Sequence, residues 1–596
     1  MMRTTTRSLP QIVLASLLGL VLPLVPQRPL AAAEPPPADS PQVKLAVLLV
    51  FDQVRGDFLQ KWKPLFGKGG FVRLQTEGAD FVNCHYPFGT TTTGPGHASI
   101  LSGTCPDRHG IINNGWYEKG ESVYCAGAKR YNLVPAPATK PTTARDAGTP
   151  DRLLAETVAD VLKATHPHAK VFGLSLKDRS AILPTGKRPD GAYWFTGQFV
   201  TSSYYADRLH PWVEEFNTAK IADRWFNKEW TKFRPDLDYE KWSGPDDVPG
   251  EGRGVQVTTA NDLTRGWAQG RTFPHSNTGG RSKPSKEYYE SLANSPFGND
   301  LLLEFTKACI VAEKLGADDV PDLLVVSFSS NDLVGHTWGP DSQEVLDTTL
   351  RSDAVVAELL AFLDEKVGAG HYLVGVTADH GICPLVEVSR TKGRDAKRVD
   401  PRTLQAAVEE HLTRRFPPLI HSALAGLAGA VTLEAAKRPN WVQAVSLPWL
   451  YLNPKAVAAA GVNPAEVAQA AADALTAHPD VGRVFTRSDL TGQFPQSDVI
   501  ARRVQRSYHP ERSGDVYVVL KEWYLPSKPL ETGTTHGAPY DYDTHVPLLV
   551  FGPGIPGGPR EEATTPQALA AIFAKWLGLR LPNKAEFPLP ATLLKK

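Results

Sequence analysis

The chain is short of sulfur: its 596 residues hold five cysteines, Cys84, Cys105, Cys125, Cys309 and Cys383, and two methionines. None of the cysteines has CxxC spacing, which argues against thiolate metal sites and dithiol redox chemistry. An odd, sparse set is no disulfide framework either. A Cys105–Cys125 bridge is one pairing that an oxidising compartment would permit, but spacing cannot report connectivity. Cys309 and Cys383 lie among apolar residues, as buried thiols do. Net charge is absent too, with Lys+Arg and Asp+Glu at 64 each. No global field then draws the chain to nucleic acid or to an anionic membrane, so anion selectivity has to come from local groups. Beyond the N-terminus there is no charge-free apolar run of span length, and no membrane span is expected in the mature chain. No internal repeat is apparent.

What is present begins with a leader. Arg3 and Arg7 precede an apolar run from Ile12 to Val25, and Ala31-Ala32-Ala33 offers small residues for cleavage. That order reads as a signal peptide over residues 1–33, with a periplasmic or secreted product. An uncleaved anchor is the alternative, and it would need a longer run. The proline-rich stretch 34–43 reads as a linker.

Residues 44–590 read as one α/β domain. Continuous apolar runs at Lys44–Phe51, Val171–Leu174, Leu323–Phe328, Tyr372–Val376 and Val546–Phe551 suit strands buried on both faces. Helical spacing lies between them. Thr149-Pro150-Asp151 reads as a helix start, followed by Leu153, Leu154, Val158, Val161 and Leu162; Gln343–Val367 and a segment from Thr565-Pro566 to about Leu577 read as further helices. Alternation of this kind predicts a mainly parallel sheet with helices on both faces. Two stretches break the rhythm, at about 201–295 and about 385–530, and read as insertions. The second carries helical patterns at Thr403–Phe416 and Ala456–His478 and a strand at Asp515–Leu520.

Ligands of open parallel sheets gather at the carboxyl ends of strands. Here the first strand runs into Asp52, the third into Asp332 and His336, and the fourth into Asp379-His380-Gly381; His536 lies shortly before the last. Singly, each is ordinary: an Asp after a strand is commonly a cap, and an i, i+4 Asp–His pair commonly a surface ion pair. Jointly, three carboxylates and three imidazoles on one rim form a donor set suited to Zn²⁺. Thr93, in Thr90-Thr91-Thr92-Thr93-Gly94-Pro95-Gly96-His97, precedes a helix expected to begin near Pro95. It is either a helix cap or a nucleophile whose alkoxide the helix end and a cation would stabilise. His97 and His109 read as structural, and Asp541, Asp543 and His545 as residues that orient His536.

Taken together, Asp52, Thr93-Gly-Pro-Gly-His97, Gly110-Ile-Ile-Asn-Asn114, Asp332-x-x-x-His336, Asp379-His380-Gly381 and Thr535-His536-Gly537 resemble the alkaline phosphatase superfamily. More closely they resemble its type I phosphodiesterase/nucleotide pyrophosphatase branch, over about 44–555. Ser175-Leu-Lys177-Asp-Arg179 and Gly197–Tyr205 are similar to the PafA-type bacterial alkaline phosphatases within it. The resemblance implies an alkaline-phosphatase-like three-layer sandwich holding two Zn²⁺. Asp52, Asp379, His380 and the Thr93 oxygen would hold one, and Asp332, His336 and His536 the other. It further implies that Asn114, Lys177 and Arg179 bind the phosphoryl oxygens of small-molecule phosphate monoesters.

Charge favours the monoester. Two zinc ions bring about +4, offset by three carboxylates and an alkoxide, and Lys177 and Arg179 then add about +2, matching a dianion. A phosphodiesterase or nucleotide pyrophosphatase on the same metals is the alternative. A sulfatase would need a C-x-P-x-R setting, which Cys105-Pro106-Asp107-Arg108 does not supply. A non-catalytic binding protein on the same fold would be expected to lose a ligand, and none is missing. Oligomeric state and physiological substrate are not legible.

Overall fold

The computed structural model describes residues 43–137, 147–258, 265–417, 440–527 and 532–594. The expected leader and nearly all of the linker lie outside them.

The apolar runs do form strands. Leu45–Phe51 is buried at every position and lies between Asp322–Phe328 and Tyr372–Thr377, parallel to both. Val171–Ser175 and then Gly191–Phe195 continue the parallel set beyond Asp322–Phe328. These five parallel strands form the middle of a ten-stranded mixed sheet. Leu548–Phe551 pairs antiparallel with Tyr372–Thr377, with Leu548 opposite Thr377. Its start therefore sits beside the end of its neighbour, which carries the preceding segment, His536 included, to the rim where the parallel strands finish.

Helices cover the sheet in two groups. Thr93–Ser102, Val158–Thr165, Asp178–Ile182 and Ala568–Trp576 pack with one another, as do Phe71–Glu77, Phe297–Glu313, Ser330–Trp338 and Gln343–Leu363. The main apolar core runs between these layers and the strands.

Three local readings are corrected. No helix starts at Thr149-Pro150-Asp151, because Thr149 N–H bonds to the Ala126 carbonyl and Leu154 N–H to that of His109, so the segment is tied outward. The helix begins at Val158, where Thr157 and Asp160 form a reciprocal capping box. The expected helix Ala456–His478 is two, Pro454–Ala460 and Pro464–Thr476, divided at Gly461, whose φ of 64° stops the first, and capped afresh by Asn463. Cys105 and Cys125 are not bridged, and all five cysteines are free and buried. Cys105 belongs to the main core and Cys125 to a separate apolar cluster with Ile111 and Trp116.

Between 201 and 295, Trp residues pack rather than line a cleft. Trp230 is fully buried, donates to Asp347 Oδ2 at 2.7 Å and stands edge-on to Trp338, while Trp267 alone is markedly exposed among the described tryptophans. Within 385–530, Val442–Ser446, Trp449–Leu452, Val516–Leu520 and Val481–Thr486 form an antiparallel four-stranded sheet. Helices Pro401–Arg415 and Pro464–Thr476 pack over it around their own apolar cluster.

Candidate active site

The rim of the parallel strands gathers the expected residues. Asp52, Asp379 and His380 are fully buried, and Asp332 nearly so. Ligand atoms of Asp52, Asp379 and His380 all lie within 4.8 Å of one another, as do those of Asp332, His380 and His536. His336 joins the second group through its Nε2, 3.2 Å from Asp332 Oδ1 on the same face of Ser330–Trp338. His380 thus stands between the two groups, its ring stacked on that of His536 at 3.5 Å.

Backbone carbonyls orient all three imidazoles. Nδ1 of His336 lies 2.7 Å from Thr534 O, that of His536 2.7 Å from Thr91 O, and that of His380 2.9 Å from Gly381 O. A nitrogen facing a carbonyl must carry the proton, so each neutral ring presents an Nε2 lone pair to the carboxylates. Burial holds the pKa of His380 below its ordinary value and that of His536 well below, which favours the neutral form. For His336 burial pushes the same way, but Asp332 outweighs it and the pKa is raised.

The carboxylates are pulled in opposite directions. Burial, and then the charges of Asp332 and Asp379, hold the Asp52 pKa well above the usual range. Asp332 and Asp379 resist the same burial through cationic or imidazole neighbours, His336 and Lys177 for the first and His380 and His97 for the second, and both are lowered. Asp52 Oδ1, Asp379 Oδ2 and His380 Nε2 are buried without a well-formed hydrogen bond, although His380 Nε2 lies 3.5 Å and 3.3 Å from the two oxygens and His97 Nδ1 3.1 Å from the second. Orphaned acceptors converging like this are costly unless a cation shares them.

Thr93 is the first residue of helix Thr93–Ser102, with Thr92 in the extended cap position. Arg179 Nη2 donates to Thr93 Oγ1 at 3.2 Å. Asn114 Oδ1 accepts from Gly94 N at 2.7 Å, which fixes the amide plane and leaves Nδ2 as the end available to a ligand. Asn114 and Arg179 open onto a cleft of about 1530 Å³, flanked by the hairpin Gly115–Glu118 and Glu121–Tyr124. Lys177 Nζ lies between Asp52 Oδ2, at 2.6 Å, and Asp332 Oδ2, at 2.5 Å. Burial alone would lower its pKa, but the charges of Asp332 and Asp52 outweigh it and the pKa is raised.

Several residues of the site escaped the reading by pattern. Gln53 donates through its backbone to Asp379 Oδ1 and through its side chain to Asp332 Oδ1; its one signal is its place directly after Asp52. Tyr124 and Asp178 flank Arg179, with Tyr124 OH 2.6 Å from Asp178 Oδ1 and 3.3 Å from Arg179 Nη1. His97 is structural as expected and also buttresses the site, its Nδ1 2.9 Å from Thr93 O and 3.1 Å from Asp379 Oδ2 and its Nε2 2.8 Å from Ser327 Oγ. His109 is held between Ser99 Oγ and Ile111 N. Of the residues expected behind His536, Asp543 takes part, accepting from Gly537 N and Ala538 N at 2.8 Å and 2.7 Å; Asp541 pairs with Arg503 and His545 with Val82 O.

A family model for type I phosphodiesterase / nucleotide pyrophosphatase matches residues 46–541. Alkaline phosphatase PafA of Elizabethkingia meningoseptica is 33% identical over 557 residues, covering 91% of this chain and 93% of that protein. Alkaline phosphatase PhoV of Synechococcus elongatus is 31% identical over 562 residues, 93% of each. The crystal structure of wild-type alkaline phosphatase PafA superimposes with a TM-score of 0.81 at 31% identity, over 93% of this chain and 99% of that one. The fold is accordingly the alkaline-phosphatase-like three-layer sandwich, and the chain is a hydrolase of phosphate esters that belongs to the type I phosphodiesterase / nucleotide pyrophosphatase family.

Proposed function

We propose that the chain is an exported, two-zinc alkaline phosphatase that hydrolyses phosphate monoesters through a phospho-threonine at Thr93. The observation that carries this reading is the Lys177–Arg179 pair, standing in one buried site with three carboxylates, three imidazoles and the Thr93 hydroxyl. The donor set fits two zinc ions: orphaned oxygens and Nε2 lone pairs already face one another, with oxygen and nitrogen ligands of the kind zinc accepts. Asp52, Asp379, His380 and Thr93 Oγ1 would hold one ion and Asp332, His336 and His536 the other. When bound, the pair would lower the pKa of the threonine hydroxyl and offset charge on the leaving oxygen.

The chain's own groups do the rest. Thr93 Oγ1 forms a bond to phosphorus as the ester P–O bond breaks, and the alcohol leaves. Water then attacks the phospho-threonine, the P–Oγ1 bond breaks, and Thr93 regains its proton as inorganic phosphate departs. Arg179, Lys177 and Asn114 Nδ2 bind the non-bridging oxygens, and the start of helix Thr93–Ser102 faces the same charge. The two cations add about +2, which suits a dianionic monoester better than a monoanionic diester.

Export is supported by Arg3, Arg7, the run Ile12–Val25 and the alanines that follow. No helix among the described residues is long and apolar enough to cross a membrane. One catalytic domain over 44–590 is supported by the ten-stranded sheet, whose strands come from Leu45 through Arg560.

The decisive experiment pairs zinc analysis with kinetics. Thr93→Ala should keep its metal and lose nearly all turnover, and the parent should prefer an aryl phosphate to its methyl diester in kcat/KM. Near-normal turnover in the variant removes Thr93 as nucleophile; a large diester preference makes the enzyme a phosphodiesterase.

A further inference from the structure

We propose that Gln53 is a positioning residue that fixes the two cation-binding groups relative to each other; this rests on the two-cation reading above. Gln53 follows Asp52 directly and is 2% exposed, with a φ of 72°. That left-handed backbone is uncommon for a residue with a side chain and persists only where the surroundings impose it. Here two bonds impose it. The Gln53 N–H donates to Asp379 Oδ1 at 3.1 Å, and Nε2 donates to Asp332 Oδ1 at 2.6 Å. One residue therefore holds a carboxylate from each group, besides standing next to a third.

The bond to Asp332 is well aimed. Its Oδ1 is also the oxygen that lies 3.2 Å from His336 Nε2 and 3.6 Å from His536 Nε2, so the amide sets the orientation of the carboxylate those imidazoles face. The amide cannot turn over without loss. Its Oε1 has no partner and rests against Gly335, where an added Cβ would come within 2.0 Å of it. Reversal would bring that oxygen against Asp332 Oδ1, oxygen to oxygen. A glutamate would add a fourth negative charge, and an apolar residue would leave Asp332 Oδ1 without its donor. An amide is the neutral donor that satisfies both limits.

The test uses purified, zinc-loaded enzyme and Gln53→Met, which keeps the length and removes the donor. Zinc per chain is measured during a graded chelator titration, with kcat and KM determined separately. The expected result is that one of two zinc ions is surrendered at chelator concentrations about 10- to 100-fold lower, the other being held as in the parent. kcat should fall about tenfold or more with KM within about twofold, as for an interaction that matters in the transition state. Equal weakening of both ions, or no change in either, overturns the proposal. Should Gln53→Met fail to fold, Gln53→Asn, which keeps the donor one methylene short, should show the same one-ion loss to a smaller degree. A parent that holds fewer than two zinc ions would instead overturn the two-cation reading itself.

Discussion

Arg179 and Thr93 come from different elements, one from the start of a short helix and the other from the start of a long one, yet the guanidinium donates to the hydroxyl at 3.2 Å. Tyr124 OH accepts from that guanidinium at 3.3 Å and donates to Asp178 Oδ1 at 2.6 Å, so the charge is positioned by the chain's own groups. Arg179→Ala should lower kcat/KM for an aryl phosphate by about 10²–10³, the range for loss of one preorganised donor. The methyl diester, with one charge fewer, should lose only about tenfold. Steady-state kinetics on both substrates check this; equal losses would mean that Arg179 does not read the dianion.

Gly96 lies on the next turn, where an added Cβ would come 2.2 Å from the Asp379 carbonyl oxygen and 2.7 Å from its Cβ. The helix that Thr93 opens reaches the segment carrying Asp379 only because that position is bare. Gly96→Ala should therefore push the two apart, costing about 1–3 kcal/mol of stability as overpacking does. Activity should fall further than the loss of folded protein explains. Denaturant melts and kcat on the same preparations separate the two effects.

Much of this was legible because burial on both faces writes a strand as an unbroken apolar run, as in Leu45–Phe51. Asp52, Asp332 and Asp379 could then be placed on one rim by the rule for parallel sheets. His536 was harder, since its loop reaches the rim only through the antiparallel pairing of Leu548–Phe551, and pattern alone does not give strand direction. Thr149-Pro150-Asp151 imitates a helix start, whereas the bonds that tie it to Ala126 and His109 are long-range and invisible in spacing. Gln53 was missed for the same reason: its partners lie 279 and 326 residues away.

Alkaline conditions should strain the loop behind His336. Glu251 is 1% exposed, and burial, helped by the charge of Glu344, pushes its pKa up to about 9. An unfolded glutamate titrates near 4.5. Between those values the folded chain binds the extra proton, so stability falls as pH rises, by up to about 1.4 kcal/mol per pH unit for one such group. The fall should level off above about pH 9. Glu251→Gln should remove this component, matching the parent near pH 5 and exceeding it near pH 9. Because Gly252 N–H bonds to Thr337 O and Gly533 N–H to Gly250 O, both at 2.6 Å, the loop also steadies the helix that carries His336. Thermal melts at pH 5, 7 and 9 check the slope, and parallel parent and variant profiles would refute it.

On the proposed two-zinc reading, Lys177 and bound zinc should substitute for one another in part. The ammonium sits 2.6 Å and 2.5 Å from Asp52 and Asp332, where it offsets charge that would otherwise be buried without a counter-ion. Stripping zinc from the parent should then leave a folded protein, since the sheet and its apolar core do not depend on the site. The loss of ligand-linked stability should still be measurable, about 4 kcal/mol for an ion present at a thousand times its Kd. In Lys177→Met the stripped form has three acidic side chains and no ammonium, so it should suffer more than the parent. Its zinc-loaded form should suffer less, because the cations take over the screening. The difference in Tm between loaded and stripped protein is therefore expected to be larger in Lys177→Met than in the parent. A smaller or equal difference would place Lys177 outside this electrostatic balance and leave it with the substrate alone.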